Sequence, residues 1–193
     1  MIKVGITGGI GSGKSVVSDV IRLLGYPVYN SDIRAKELSD TNPTIRQSLV
    51  ALFGSVIYTD NQLNRPLLAS HLFQNSSHRE AVNAIIHPVV FADFNKWCAV
   101  QHTSLIFAES AILVESGFSA LMDKMIVVDA PHKLRLQRVV ERDAVTMEQA
   151  QRRMAAQMDS VELCKQADYV IYNDNEHLLI SQTVDIINKL VNL

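Results

Sequence analysis

A glycine-rich segment, residues 8–15, constrains the fold of this chain more than any other feature of the sequence. It reads Gly-Gly-Ile-Gly-Ser-Gly-Lys-Ser and fits the pattern G-x-x-x-x-G-K-[ST] at every fixed position. The apolar run 2–7 before it is typical of a strand, and the amphipathic run 14–24 after it is typical of a helix. A strand–loop–helix of this composition wraps its backbone N–H groups around a phosphate group. The segment therefore predicts a site for a nucleoside triphosphate.

The residue types of this loop fit phosphate binding. Glycines permit positive φ angles and leave room for the phosphate oxygens. Lys14 can bridge the β- and γ-phosphates, and the Ser15 hydroxyl can ligate Mg²⁺. A dinucleotide-binding loop is disfavoured, because Lys14 occupies the position of the third glycine in that motif. A turn that only joins the strand to the helix, without binding a ligand, is less favoured than a phosphate-binding loop. The residues that we assign to the cradle are Gly8, Gly9, Ile10, Gly11, Ser12, Gly13, Lys14 and Ser15.

Five apolar runs have the length of strands and alternate with helical patterns. They span residues 2–7, 27–30, 105–109, 125–129 and 168–172. This alternation predicts an α/β fold, the three-layer P-loop NTPase architecture with a five-stranded parallel sheet covered by helices. Ligands of such sheets bind at the carboxyl ends of the strands. A last helix is predicted from about Asn175 to Val191.

About 75 residues between the second and third strands carry no strand pattern. This stretch is too long for an ordinary crossover, so we expect a helical insertion. We expect His87 in a turn at the junction of two helices. Helical patterns in the stretch are interrupted at residues 42–43, at 54, at 60–66, at 75–77 and at 87–88.

Composition excludes several classes of protein. Eighteen basic and twenty acidic residues give a formal charge of −2, which does not support bulk binding to nucleic acid. No apolar run approaches the roughly 20 residues of a membrane span, so we expect no membrane partner. Cys98 and Cys164 lack CxxC spacing, which fits a reducing, cytoplasmic setting. We expect a monomer or a weak homo-oligomer.

Asp32 is the first candidate for catalysis. The sequence contains neither D-x-x-G nor N-K-x-D, which disfavours a GTPase. Asp32 directly follows the second strand, where a carboxylate can accept a proton from an acceptor hydroxyl or steer Mg²⁺ through water. It would equally suit the N-cap of a helix over residues 32–39, and the two roles are compatible.

A cationic segment over residues 133–157 predicts a lid. It holds six basic residues against three acidic ones. In kinases, lid arginines neutralise charge on the phosphoryl group during transfer. Arg138 and Arg142 are four residues apart and share a helix face, and Arg142 is our first choice for phosphate contact. Glu109, at the end of the third strand, could orient water on the metal or could hydrogen-bond the loop structurally.

The sequence resembles the dephospho-coenzyme A kinase family along almost its whole length. The loop is shared with many proteins, but the ordered set of motifs is specific. The segments that carry the resemblance are 7–15, 30–36, 86–88, 113–115, 137–138, 142–143, 153, 157, 167–171 and 173.

This resemblance implies transfer of the γ-phosphoryl group of ATP to the ribose 3′-hydroxyl of dephospho-coenzyme A, with Mg²⁺ as cofactor. It implies a nucleotide-binding core over residues 1–30 and 103–193, an acceptor-binding insertion over 31–102 and a lid over 132–157. Asp32 falls on the family's proposed base. Lys14 and Arg142 are the other catalytic assignments, and Val16, Arg138 and Asn173 are added to the nucleotide site.

The sequence departs from the family pattern at several positions. Asn30 replaces the first acid of Asp-Ala-Asp, and Lys36 replaces an arginine, which keeps the charge but loses bidentate geometry. Ala111 replaces a proline, and Val16 replaces a frequent threonine. Two alternatives remain open at this point, a kinase acting on a nucleoside, nucleotide or other small molecule, and a non-catalytic nucleotide sensor.

Overall fold

The computed structural model of the protein describes residues 1–72, 75 and 77–193 in full, and the backbone of residues 73, 74 and 76. The chain divides into two units, one formed by residues 1–30 and 101–193 and the other by residues 31–100. No helix in the part of the chain that is described has the length and apolar character needed to cross a membrane.

The first unit is built on a parallel sheet. Its strands lie in the order β2-β5-β1-β6-β7, which confirms the predicted α/β fold with five parallel strands. The elements of this unit are β1 (Ile2–Thr7), α1 (Lys14–Leu23), β2 (Val28–Asn30), β5 (Leu105–Glu109), β6 (Lys124–Asp129), α6 (His132–Asp143), α7 (Met147–Ala155), α8 (Ser160–Lys165), β7 (Tyr169–Tyr172) and α9 (Leu179–Val191), with 3₁₀ turns at Ser55–Ile57 in the other unit and at Phe118–Leu121 in this one.

The core of this unit lies between the sheet and the helices α1 and α9. Strands that are buried on both faces read as continuous apolar runs, and every residue of β5 is buried. Burying such side chains stabilises the fold by about 25 cal/mol per Å² of apolar surface. The core residues are Val4, Ile6, Val17, Ile21, Leu105, Phe107, Ile126, Val128, Ile171, Ile186, Ile187 and Leu190.

The second unit is mainly helical, as predicted, but it also contains a small hairpin. Its elements are α2 (Ser31–Thr41), α3 (Pro43–Phe53), β3 (Tyr58–Thr59), β4 (Gln62–Leu63), α4 (Arg65–Gln74) and α5 (Ser76–Ala99). The expectation that this segment lacks strands is wrong, because β3 and β4 pair antiparallel. Asp60 and Asn61 both adopt positive φ angles and form the two-residue turn that such a hairpin needs.

Two further boundaries differ from the predictions. The prediction of a turn between two helices at His87-Pro88 is wrong, because α5 continues through Pro88. A proline inside a helix costs about 3 kcal/mol, but the apolar face of α5 packs on the core of the unit on both sides of it, through Ile86 and Val89. The last helix begins at Leu179 rather than at Asn175, because Asp174 accepts hydrogen bonds from the backbone N–H groups of the two residues that follow Asn175.

Asp40 fixes the hairpin to α2. Its carboxylate accepts from Arg65 Nη2 at 2.6 Å and from the Leu63 backbone N–H at 2.9 Å. Burial raises the pKa of Asp40, but the hydrogen bonds from Arg65 and Leu63 outweigh it, so the pKa lies below its ordinary value. A carboxyl group with a lowered pKa stabilises the fold above the pKa of the unfolded chain, and loses that contribution as the pH falls through the folded-state pKa.

We therefore expect Asp40→Asn to lower the free energy of unfolding by about 1–2 kcal/mol at pH 7, because one charged hydrogen bond is lost. The difference from the wild type should shrink as the pH falls below about 4, because the carboxyl of the unfolded chain is protonated there while the folded chain takes up the proton only at a lower pH. Urea unfolding at pH 7 and at pH 3 measures both effects. Glu80→Gln, at an exposed position of α5, is the control and should change stability by less than about 0.5 kcal/mol. Equal stability of Asp40→Asn and wild type at pH 7 would contradict this role.

Candidate active site

The loop of residues 8–15 joins β1 to α1 at the carboxyl edge of the sheet. Gly13 precedes α1 with φ of 97°, in the left-handed region that favours glycine. A Cβ at Gly13 would collide with the Asn173 side-chain amide, which donates to the Ser12 carbonyl at 2.8 Å. The loop is therefore held from outside by the segment that follows β7. The loop leads into the N-terminus of α1, where the helix dipole favours an anion.

Lys14 is buried against the loop. Its Nζ donates to the Gly8 carbonyl at 2.6 Å and approaches the Gly9 carbonyl at 3.3 Å. The side chain is only 8% exposed although it carries a charge. A buried ammonium of this kind is a prepared partner for phosphate oxygens.

A pocket of about 680 Å³ opens beside the loop at the start of α1. Arg138, on α6, spans from the loop to the segment after β7, since its guanidinium approaches the Gly11 and Asn173 carbonyls at 3.3–3.4 Å. The structure thus brings the predicted residues Val16, Arg138 and Asn173 together. The residues that line the pocket are Gly13, Val16, Arg138, Asn173, Leu178, Leu179, Ile180 and Ser181.

Ser15 and Glu109 carry side-chain oxygens at this edge of the sheet. Ser15 is exposed in the first turn of α1. Glu109 ends β5, is only 5% exposed, and accepts from Asn30 Nδ2 at 3.0 Å. The described residues contain no group of three or more histidine, cysteine, aspartate or glutamate side chains arranged to hold a metal.

Asp32 lies in the first turn of α2, in the second unit. Because the helix begins at Ser31, Asp32 is inside it, and the expectation of an N-cap role for a helix over 32–39 is wrong. A carboxylate in the first turn still interacts favourably with the helix dipole. The side chain is half-buried.

Arg142 is held within the predicted lid. Its Nε and Nη2 donate to the neighbouring Asp143 at 2.7 and 3.2 Å, and Arg153 donates to the same carboxylate at 3.0 Å. The hydrogen bond from Arg142 is the main reason that the pKa of Asp143 is lowered, although burial opposes it. Two guanidinium groups on α6 and α7 therefore share one carboxylate.

Two residues at the loop were missed as site residues by the sequence reasoning. Gln157 follows α7; its Oε1 accepts from the Ile10 backbone N–H at 2.7 Å and its Nε2 donates to the Ala111 carbonyl at 3.0 Å. Arg135, counted only among the cations of the lid, is buried on α6 with its guanidinium against Gly9. The resemblance marked Gln157, but neither residue has a local signal for its contact, because each reaches the loop across the fold.

Gln157→Ala should raise the Kd for MgATP by roughly 2- to 10-fold, because the Ile10 amide loses its partner and the loop is less well ordered before binding. Isothermal titration calorimetry measures the effect. Gln151→Ala, at an exposed position of α7, is the matched control and should leave the Kd unchanged. An unaltered Kd in Gln157→Ala would mean that the hydrogen bond does not organise the nucleotide site.

The glycine-rich loop surrounds a buried lysine and lies at the carboxyl edge of a parallel sheet. A cationic segment follows β6, the fourth strand of that sheet along the chain. Together these features define a P-loop kinase. Within that class the chain belongs to the dephospho-CoA kinase family, since residues 2–178 match the family model described as Dephospho-CoA kinase.

Individual relatives agree with this assignment. The chain is 47% identical over 191 residues to a dephospho-CoA kinase of Porphyromonas gingivalis, covering 98% of this chain and 95% of the relative. It is 46% identical over 187 residues to one of Bacteroides fragilis, covering 96% and 91%. Among solved structures, the protein TT1252 from Thermus thermophilus superposes with a TM-score of 0.86 at 30% identity, covering 100% of this chain and 97% of that one.

Proposed function

We propose that this protein transfers the γ-phosphoryl group of ATP to the 3′-hydroxyl of the ribose of dephospho-coenzyme A, the last step of coenzyme A synthesis. The observation that carries the proposal is the buried Lys14 inside a complete phosphate-binding loop, in a chain of the dephospho-CoA kinase family. The products are ADP and coenzyme A.

In this proposal the loop binds the phosphate chain of ATP, with its backbone N–H groups and Lys14 as the donors. The adenosine occupies the pocket beside Gly13 and Val16, where apolar side chains of the segment 178–180 offer a surface for the base. Arg138 and Asn173 form the polar side of the same pocket.

Asp32 acts as the general base. It accepts the proton of the acceptor 3′-hydroxyl while the oxygen attacks the γ-phosphorus, and the bond from that phosphorus to the β-phosphate bridging oxygen breaks. The position of Asp32 directly after β2 supports the role, because ligands of parallel sheets collect at the carboxyl ends of the strands. We assign acceptor binding to the insertion over residues 31–102, which contains the helical unit, as the family resemblance implies.

Ser15 would hold Mg²⁺ through its hydroxyl, and Asp32 or Glu109 would orient water on the ion. When bound, Mg²⁺ neutralises charge on the β- and γ-phosphates. Glu109 accepts a hydrogen bond from the side-chain amide of Asn30 at 3.0 Å, which fixes the orientation of its carboxylate. We therefore assign the water contact to Glu109 and the orientation of its carboxylate to Asn30.

Arg142 stabilises the charge that spreads over the transferring phosphoryl group when the lid closes. This requires exchange of its exposed contact with Asp143 for a phosphate contact, and exposed ion pairs of this kind contribute only about 0–1 kcal/mol.

Cys98 and Cys164 are free thiols, which supports our expectation of a reducing cytoplasmic setting.

The test is ADP release from MgATP, measured alone, with dephospho-coenzyme A, and with a panel of nucleosides and nucleotides. We expect stimulation by dephospho-coenzyme A and the appearance of a 3′-phosphate in the product. Stimulation by nucleosides or nucleotides alone would identify a different small-molecule kinase, and binding of ATP without transfer to any acceptor would identify a nucleotide sensor.

A further inference from the structure

Arg135 is a buried cation on α6. Only 9% of its surface is exposed, and its Nε has no hydrogen-bond partner among the residues that the structure describes. None of the ion pairs found between those residues includes it. Burying an unpaired charge costs several kcal/mol, so a fold retains one only where something else compensates for it.

The guanidinium lies against the phosphate-binding loop. A Cβ at Gly9 would overlap Arg135 Nη1, and a Cβ at Gly11 would lie 2.5 Å from the Arg135 carbonyl oxygen. Lys14 Nζ approaches the Gly9 carbonyl at 3.3 Å, so two cations converge on this one residue of the loop. Like charges in a buried site repel each other and attract an anion.

Two carboxylates, Asp129 and Asp159, share surroundings with Arg135, and neither forms an ion pair with it among the described residues. Burial raises the pKa of the Cys164 thiol, with Asp129 and Asp159 adding to the shift and the positive charge of Arg135 opposing it. Asp159 is occupied as the N-cap of α8, where it accepts from the Val161 backbone N–H at 2.9 Å. Arg135 thus lies near both carboxylates without a direct ion pair to either of them.

We propose that Arg135 is a further, electrostatic element of the nucleotide site, a buried cation whose charge is balanced by the phosphate chain bound in the loop. It is a positioning residue, which attracts and fixes the polyphosphate through the loop that it contacts. The proposal rests on nucleotide binding by the loop, one part of the proposed function, and is independent of the acceptor.

The test compares Arg135→Met with wild type in two measurements, the Kd for MgATP by calorimetry and the Tm with and without MgATP. Methionine keeps much of the side-chain volume without the charge. We expect the Kd to rise about tenfold or more, because a charged partner of the phosphates is lost. In the absence of nucleotide the Tm should equal or exceed that of wild type, since an uncompensated buried charge has been removed. The rise of Tm on adding MgATP should be smaller.

Two variants control for charge and for site. Arg135→Lys retains the charge and should bind MgATP within about threefold of wild type. Lys189→Met removes an exposed cation in the last turn of α9, away from the loop and the lid, and should change neither quantity. A lower Tm, or failure to fold, together with a Kd for MgATP that is unchanged or cannot be measured would assign Arg135 to packing and overturn the proposal. Absence of MgATP binding in the wild type would instead reject the proposed function.

Discussion

Asp32→Asn should reduce kcat for phosphoryl transfer by at least about 100-fold while the Kd for MgATP stays within about twofold of wild type. General-base catalysis contributes roughly 10²- to 10⁴-fold, and an asparagine cannot accept the proton of the acceptor hydroxyl. The side chain is half-buried in the first turn of α2, and asparagine has nearly the same size, so the fold should tolerate the change. Steady-state turnover with dephospho-coenzyme A and calorimetry with MgATP separate transfer from binding.

Asp185→Asn, at an exposed position of α9, serves as the control and should leave both quantities unchanged. If Asp32 served only the helix dipole, the variant would lower the Tm and retain near-normal kcat. That combination would reassign the residue to a structural role and remove the base from the proposed mechanism.

Lys14→Ala should weaken nucleotide binding as well as transfer. Hydrogen bonds to charged groups contribute about 1.5–3 kcal/mol, so the Kd for MgATP should rise by roughly 10- to 150-fold. Loss of a cation at the transferring phosphoryl group should lower kcat by a further 10²- to 10³-fold. The loop itself also loses the contacts from Nζ to the carbonyls of Gly8 and Gly9.

The same calorimetric and turnover measurements apply, with Lys189→Ala in the last turn of α9 as the exposed control. The contrast between the two active-site variants is informative, because Asp32→Asn should spare ATP binding and Lys14→Ala should not. A Lys14→Ala protein with wild-type affinity for MgATP would show that the backbone of the loop is sufficient for binding.

The parts of the fold that local patterns describe could be predicted from the sequence. The loop motif and the five apolar runs require only short-range information, and the structure confirms the parallel sheet. Gly54 ends α3 as expected, and Asn42 caps that helix through hydrogen bonds from Thr44 and Ile45 to its side chain.

The incorrect predictions have physical causes in tertiary packing or in unusual turns. Pro88 is a helix breaker by local rules, and it is retained inside α5 because residues on both sides are buried in one core. Asp60-Asn61 has no glycine, so it gave no hairpin signal, although both residues adopt positive φ angles. The contacts of Arg135 and Gln157 with the loop span more than a hundred residues and could not be inferred from spacing.

The packing of α9 has a consequence for synthesis on the ribosome. Ile186, Ile187 and Leu190 share one core with Val4 and Ile6 of the first strand. Translation proceeds at about 5–20 residues per second. The first strand is therefore synthesised roughly ten to forty seconds before the α9 residues that pack against it. During that interval its apolar side chains are a target for chaperones, and a message truncated before the final helix would yield a chain unable to close its nucleotide unit.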